Sequence, residues 1–274
     1  MVSLVRHSFN CAVREMNSVT KVELNGKSGY SVSEEKRSTI KFIDRGSRKI
    51  DINLGGLEVS FPLNAIPDMV YEAILNTLEG SQDIDEKIHR LYDSTLMKPT
   101  VSSQNTSGIF PINSAKKIVR LTLTDEALED MILEIEGAEL SFQGRPFNET
   151  VEERVELYQN LMLDDKKIDR FRLGAVEMYG DVTYQNILRD PRVTLNFSWT
   201  QKEVPEAQSY QVNCIAEVVP PGDPFFRYMR IMRRLFSSRL LDLRGTEDYI
   251  CAYKFWVCES KEKSLQERAG YAIL

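Results

Sequence analysis

The chain has 274 residues, of which 42% are hydrophobic and 28% charged, and its formal net charge is −6. This composition is typical of a globular protein and excludes a disordered, collagen-like or disulfide-rich chain. The acidic balance argues against a protein that coats DNA over its whole surface, but it leaves room for one local anion-binding site.

The chain contains four cysteines with no CxxC pair and only two histidines. We therefore expect no zinc site, and we predict no metal and no other cofactor. The N-terminal stretch MVSLVRHSFNCAVREM is too polar for a signal peptide, and no apolar run approaches the length of a membrane span. These features predict an intracellular, cytoplasmic protein with reduced thiols.

The first region, residues 19–62, reads as β structure. The stretch VTKVELNGKSGYSV alternates around an Asn25-Gly26 turn signal, and KIDINLGGLEVSF alternates on both sides of Gly55-Gly56. Two glycines permit the positive φ angles of a tight turn, so the second stretch predicts a hairpin.

Helices follow in the first half of the chain. Residues 67–79 are predicted as a helix that ends before Gly80, and residues 84–96 as a second helix. The segment 98–116 is rich in Ser, Thr, Asn, Pro and Gly, which predicts a linker or a long surface loop.

The second half begins with an alternating stretch, KIVRLTL, that predicts a strand. The stretch MILEIEGAELSF also alternates, with a slip at Gly137 that indicates a turn or a bulge, and residues 148–163 are predicted as a helix. Further strands are predicted at 170–179, 192–199, 208–219 and 248–257.

These elements predict an α+β fold dominated by antiparallel sheet, with several amphipathic helices. They divide the chain into a hairpin-and-helix region at 1–97, a linker or loop at 98–116, and a β-rich region at 117–274. A single mixed domain is an equal alternative.

The most unusual segment is GDPFFRYMRIMRRLFSSRLLDLRG, which holds six arginines and no lysine. It predicts an amphipathic helix over 223–242, with Asp223 as N-cap and Pro224 in the first turn. Phe225, Met229 and Met232 share its apolar face. The candidate anion-binding residues of the polar face and its borders are Arg227, Arg230, Arg233 and Arg234.

Three interpretations of this arginine face stay open. The helix is docked on the sheet and its arginines pair with the acidic remainder of the chain, or the face binds phosphate or nucleic acid, or it lies on an anionic membrane surface.

No recognisable catalytic motif is present: GxSxG, P-loop, GxGxxG and HExxH are all missing. Glu86-x-x-His89 has ligand spacing, but a di-metal bundle needs two such pairs. We assign no catalytic residues and lean away from an enzyme.

Three stretches resemble known families. TYQNILRDPRVTLNFSW, followed by YQVNCIAEVV and preceded by GRP at 144–146, resembles the middle of flavin-binding split-barrel proteins. That resemblance implies an FMN-binding oxidoreductase with the flavin phosphate near Thr183 and Asn186, and with Arg189 as a further binding residue.

The other two resemblances are shorter. DINLGG at 51–56 is similar to the second signature of PilZ domains, which implies a nucleotide-sensing adaptor that binds cyclic di-GMP. RLGAVEM at 172–178 is similar to a piece of plant-virus movement proteins.

The leading hypothesis is a non-enzymatic, β-rich binding and assembly protein, such as a viral structural, matrix-like or movement-type factor. Its predicted partners are further copies of the chain or another protein. Nucleic acid or an anionic membrane is the alternative partner of the 223–242 helix.

Overall fold

The computed structural model describes residues 20–24, 27–31, 37–106, 108–201, 204–236 and 248–264. Within them lie twelve strands: β1 (Thr20–Leu24), β2 (Lys27–Ser31), β3 (Thr39–Asp44), β4 (Lys49–Leu54), β5 (Leu57–Pro62), β6 (Thr100–Gln104), β7 (Ile112–Lys116), β8 (Arg120–Leu123), β9 (Ile168–Glu177), β10 (Arg192–Gln201), β11 (Val204–Val219) and β12 (Cys251–Glu262). The α-helices of these ranges are α1 (Asp68–Leu75), α2 (Ile84–Asp93), α3 (Asp125–Leu140), α4 (Phe147–Leu161), α5 (Val182–Arg189) and α6 (Pro224–Arg234).

The strands form one large sheet and two small ones. The large sheet has the order β7-β6-β10-β11-β12-β9-β8, the second sheet has the order β3-β4-β5, and β1 pairs with β2. Every pairing is antiparallel. The predicted α+β class with antiparallel sheet is therefore confirmed.

The predicted hairpin at Gly55-Gly56 is confirmed in its register. Strands β4 and β5 pair from Lys49↔Pro62 to Leu54↔Leu57. Gly55 and Gly56 have φ angles of 59° and 99°, a backbone region in which a side chain is strained. The predicted Asn25-Gly26 turn lies outside the described residues, but the strands on either side of it pair antiparallel.

The three-stranded sheet packs against one face of the large sheet. Ile50 and Ile52 of β4 lie in one buried apolar cluster with Ile215 of β11 and Trp256 of β12. The main core is a larger cluster that runs from Ile66 to Val257. It draws buried side chains from both predicted regions of the chain, and the division into two regions stays a prediction.

Most predicted helices and strands occur with shifted ends. The helix predicted at 67–79 is α1 followed by a short 3-10 turn at Asn76–Leu78, before Gly80 with φ of 71°. The helices predicted at 84–96 and 148–163 are α2 and α4. The strands predicted in the second half from KIVRLTL onward, other than MILEIEGAELSF, are β8, β9, β10, β11 and β12.

The stretch MILEIEGAELSF is helical, so the strand predicted there is wrong. It lies largely in α3, which begins after Thr124, whose side chain accepts a hydrogen bond from the Ala127 N–H at 3.2 Å. Leu128, Ile132 and Ile135 are buried at helical spacing. The cap and this spacing decide the structure, because a short apolar run does not by itself distinguish a helix from a strand.

The predicted linker is also corrected. Residues 100–104 and 112–116 are β6 and β7, which pair with each other and form one edge of the large sheet. Their polar residues bond across the hairpin, as in the 2.9 Å contact between the Ser102 and Ser114 hydroxyls. Edge strands tolerate this composition because one face of the hairpin is exposed.

Helix α6 begins as predicted and packs on the core. Asp223 accepts a hydrogen bond from the Phe225 N–H at 2.8 Å, and Pro224 occupies the first turn. Phe225, Met229 and Met232 are buried. The helix ends at Arg234, while positions 237–242 of the predicted helix lie outside the described residues. No helix in the described ranges is long and apolar enough to span a bilayer.

Candidate functional site: a cationic cavity beside the arginine helix

The outer face of α6 contacts carboxylates of this chain. Arg227 binds Glu136 of α3 through two nitrogens, with Nε 2.7 Å from Oε1. Arg230 Nη1 lies 3.0 Å from Asp248 Oδ2, and Arg234 Nη1 lies 3.4 Å from Glu139 Oε1. The predicted anion-binding residues Arg227, Arg230 and Arg234 therefore pair with acids of this chain.

The pairing is strongest at Arg227. Hydrogen bonds from this guanidinium lower the pKa of Glu136 below its ordinary value, and the carboxylate raises the pKa of Arg227 in return. These contacts hold α6 against α3. Whether the same face binds an external anion stays a prediction.

Arg233 lies elsewhere, in the wall of a cavity of about 660 Å³. Three lysines share this wall with it: Lys98, Lys116 and Lys117. The carboxylates that line the same cavity are Glu177 and Asp181. Cations therefore outnumber acids here, although the chain as a whole is acidic.

The β6–β7 hairpin brings the lysines together. Lys98 precedes β6, Lys116 ends β7, and pairing of the two strands returns the chain to its starting point. Lys116 Nζ lies 3.4 Å from the Lys98 carbonyl oxygen. Two residues far apart in the hairpin thus lie side by side at the cavity.

The first turn of α5 forms another part of the wall. Thr183 lines the cavity, and its hydroxyl oxygen accepts a hydrogen bond of 3.0 Å from the Asn113 amide of β7. The amino end of a helix presents unpaired N–H groups and a partial positive charge. This wall therefore adds neutral hydrogen-bonding groups to the cations.

Lys117 and Glu177 form a buried pair at the cavity. Their side chains are 9% and 5% exposed, and Lys117 Nζ lies 2.6 Å from Glu177 Oε2. The Tyr253 hydroxyl donates to the same oxygen at 2.8 Å, and the Tyr179 N–H donates to Oε1 at 3.0 Å. This carboxylate thus accepts three hydrogen bonds, and it neutralises Lys117.

Burial controls the titration of the neighbouring groups. It raises the pKa of Tyr253 well above its ordinary value, with a further increase from the Glu177 carboxylate. Burial also raises the pKa of Cys251 to about 12. Both side chains are therefore neutral at physiological pH.

The remaining wall is apolar and partly open to solvent. Tyr179 and Val182 line the cavity and are 54% and 45% exposed. Ile118, Val176 and Met178 also contribute to it. The cavity wall therefore combines cationic, apolar and aromatic side chains.

The three residues implied by the split-barrel resemblance lie on α5, but in different surroundings. Thr183 lines the cavity. Asn186 is buried, and its amide donates to the Ser103 hydroxyl at 3.1 Å. Arg189 is half-buried at the far end of α5. Flavin binding by these residues stays a prediction.

The other two resembling stretches form ordinary strands. DINLGG lies in β4 and its turn, where the Asn53 side chain accepts a hydrogen bond from Gly56 N–H at 2.6 Å. RLGAVEM lies mostly in β9. Cyclic dinucleotide binding by the first stretch stays a prediction.

The lysines of the cavity were missed in the sequence. Lys98 and Lys116-Lys117 flank the segment that composition predicts as a linker. The basic residues at both ends of this polar segment could have predicted a cluster of lysines, because a hairpin brings its two ends together.

No family model and no curated protein sequence matches the chain. Among solved structures, HupZ from Group A Streptococcus is 12% identical, with a TM-score of 0.32, over 61% of this chain and 85% of that chain. An FMN-binding protein from Syntrophomonas wolfei subsp. wolfei is 10% identical, with a TM-score of 0.34, over 72% of this chain and 93% of that chain. Similarities at this level carry no functional conclusion.

Proposed function

We propose that this protein binds a small phosphate-bearing molecule in the cationic cavity. The observation that carries the proposal is the convergence of Lys98, Lys116 and Arg233 on one cavity in an acidic chain. Arginine binds phosphate through two parallel hydrogen bonds, and lysine attracts it as a point charge.

The neutral groups of the cavity support the same ligand class. The Thr183 hydroxyl and the Asn113 amide lie in the wall beside the cations. The volume of about 660 Å³ lies within the usual range of small-molecule sites. Tyr179 at the rim offers an aromatic face for a planar ring, so FMN is the specific probe that we select.

The side chains that line the cavity fit ligand binding better than catalysis. The buried carboxylate of the cavity, Glu177, already accepts from Lys117, Tyr253 and the Tyr179 N–H. A general base needs a free oxygen within reach of a substrate proton. We therefore propose a ligand-binding protein.

The test is a fluorescence titration with FMN and with riboflavin, which lacks the phosphate. We expect FMN to bind at least about tenfold more tightly than riboflavin, because charged hydrogen bonds to the phosphate contribute about 1.5–3 kcal/mol. Lys98→Glu/Lys116→Glu is expected to remove this difference.

A matched control keeps the charge change and moves it away from the cavity. Lys166 and Lys167 are exposed neighbours in a 3-10 turn, so Lys166→Glu/Lys167→Glu adds the same negative charge elsewhere. Equal affinity of FMN and riboflavin for the wild type, or equal losses in both double variants, contradicts the proposal. The same titration with cyclic di-GMP tests the nucleotide-sensing alternative.

Self-association is a second candidate, supported by one edge of the large sheet. Strand β7 is at one end of the strand order. Ile109 and Phe110, just before this strand, and Ile112, its first residue, are 98%, 77% and 56% exposed. Exposed edges with apolar residues favour pairing with another chain. An assembly role of viral structural, matrix-like or movement type rests on this candidate.

Sedimentation velocity distinguishes the two outcomes. We expect the wild type to form dimers or larger species at micromolar concentration and Ile109→Ser/Phe110→Ser to remain monomeric. A monomeric wild type over the whole concentration range contradicts the assembly role and leaves the ligand-binding proposal intact.

A further inference from the structure

A second cavity, of about 320 Å³, adjoins the cationic cavity. The two cavities share two wall residues, Thr95 and Lys116. Both of these residues are exposed, so the junction between the cavities is open to solvent. A molecule bound at the junction can therefore extend into either cavity.

The wall of the second cavity is rich in neutral polar side chains. Strand β10 contributes the exposed residues Asn196, Ser198 and Thr200, because every second side chain of a strand faces the same side. Ser209 of β11, directly opposite Ser198, adds another hydroxyl to the wall. Hydroxyl and amide groups both donate and accept hydrogen bonds, so this cavity suits a hydroxylated, uncharged part of a ligand.

Backbone groups of β10 add to these donors and acceptors. Within the described residues, β6 pairs with β10 only as far as Asn196. The Pro191 carbonyl accepts a hydrogen bond of 2.8 Å from the Ala216 N–H of β11. Successive residues of an antiparallel strand bond to opposite neighbours, so Ser198 and Thr200 direct their N–H and C=O groups away from β11, toward the edge that β6 leaves open.

Positive charge lies at the junction and on one side of it. Lys116 donates to the Lys98 carbonyl at 3.4 Å, and an ammonium group has three N–H donors, so two remain for a ligand. Lys98 and Arg233 line the cationic cavity and are absent from the wall of the second cavity. The charge pattern thus places an anionic group at the junction and a neutral group in the second cavity.

We propose that the two cavities form one elongated site for a dinucleotide. Its linking phosphates lie at Lys116, a planar ring lies against Tyr179 in the cationic cavity, and the second nucleoside occupies the second cavity. This inference rests on the proposed ligand-binding function and names the class of ligand.

The second cavity is the reason to extend the ligand beyond its phosphate. A ligand that ends in a phosphate makes no use of the hydroxyls of this cavity, whereas a phosphate substituted on both sides places a sugar and a base there. Sugar hydroxyls and base edges donate and accept hydrogen bonds, as do the side chains and the open backbone groups of Ser198 and Thr200.

FMN and flavin adenine dinucleotide (FAD) distinguish the second cavity from the first. Both carry the same flavin ring, and both carry about two negative charges near neutral pH, since a phosphate monoester has then lost most of its second proton. FAD adds an adenosine monophosphate unit beyond the phosphate of FMN. A difference in affinity between them therefore measures contacts of this unit rather than charge.

The first measurement is a calorimetric titration of the wild type with FMN and with FAD. We expect FAD to bind at least about tenfold more tightly, because a few added hydrogen bonds account for such a factor. FAD that binds no more tightly than FMN overturns the inference.

Thr200→Tyr fills the second cavity from an exposed strand position, where an aromatic side chain is well tolerated. We expect the ratio of FAD affinity to FMN affinity to fall to about one in this variant. The matched control is Thr39→Tyr, the same substitution at an exposed position of β3 outside the walls of both cavities, which is expected to keep the wild-type ratio.

Circular dichroism checks that both variants are folded. A wild-type ratio in folded Thr200→Tyr, or an equal fall of the ratio in both variants, overturns the elongated site. If Thr200→Tyr does not fold, the ratio in the wild type decides the inference.

The two proposals fail separately. If FMN binds more tightly than riboflavin but FAD binds no more tightly than FMN, the ligand-binding proposal stands and the elongated site is wrong. If the wild type binds neither FMN nor FAD, both proposals are wrong.

Discussion

The outer face of α6 and the cavity beside it both contain cationic side chains, but the neighbours of these side chains differ. On the outer face, Arg227 and Arg234 lie against Glu136 and Glu139, which α3 presents one turn apart. In the cavity, Arg233 of the same helix shares a wall with three lysines and two acids. The first arrangement ties two helices together, and the second leaves an excess of positive charge.

The difference shows that arginine content alone does not locate an anion site. The helical period places Arg227, Arg230 and Arg234 on one face, where neighbouring acids meet them. Arg233 is rotated toward the sheet edge, where the β6–β7 hairpin supplies more cations. The neighbours of a charge, rather than its own helix, decide whether it pairs with a carboxylate of the fold or lies among other cations.

The largest expected effect concerns Lys117, a cavity cation that pairs with a buried carboxylate. Lys117→Met leaves the buried Glu177 carboxylate without its ammonium partner. We expect a loss of about 3 kcal/mol in the free energy of unfolding, measured by urea denaturation.

The double variant Lys117→Met/Glu177→Gln removes both charges and is expected to recover part of that loss. Surface substitutions ordinarily change the free energy of unfolding by about 0.5 kcal/mol or less. A change this small in Lys117→Met would show that the Lys117 ammonium does not stabilise the fold, unlike the paired arginines of the outer face.

A smaller loss is expected on the outer face. Arg227→Glu places a second carboxylate beside Glu136, and we expect it to cost about 1–2 kcal/mol of unfolding free energy. The charge-swapped variant Arg227→Glu/Glu136→Arg is expected to restore most of this stability in the same urea experiment. A charge-swapped variant as unstable as the single variant argues against a stabilising interaction between residues 227 and 136.

Arg227→Glu also tests whether the outer face of α6 binds anions. If the outer face only holds α6 to α3, Arg227→Glu leaves binding to a labelled oligonucleotide and to anionic vesicles unchanged. A folded Arg227→Glu protein that loses salt-sensitive binding would support the predicted anion-binding role of this face.

The smallest effect is a pH dependence from Glu136. Arg227 holds the pKa of Glu136 below its ordinary value of 4.5 in the folded protein, so the unfolded chain takes up this proton first as the pH falls. The stability that the carboxylate contributes is therefore fully present above pH 4.5 and is lost as the pH falls through the lowered pKa.

We expect Glu136→Gln to be less stable than the wild type at pH 7 and the gap to close below about pH 4.5. Urea midpoints from pH 7 to pH 3 measure the gap. A gap that is constant over this range would mean that the ionised carboxylate is not the stabilising form.

Local patterns predicted many of the elements because the relevant interactions are short-range. The Gly55-Gly56 hairpin follows from alternation and turn chemistry, and α6 follows from its Asp223 cap and apolar stripe. Prediction failed at α3, where alternation resembles a strand, and at the β6–β7 hairpin, where polar residues resemble a loop. At α3 the Thr124 cap and the spacing of the buried residues decide the structure, and at the hairpin the pairing of β6 with β7 decides it.

The sequence by itself determined the α+β class, the hairpin at Gly55-Gly56, the amphipathic character of α6 and the excess of arginine in that segment. Only the tertiary structure decided which arginines meet carboxylates and which cations converge on the cavity. The physical reason is that capping, turn geometry and periodicity act over a few residues, while charge pairing depends on what distant segments bring into contact.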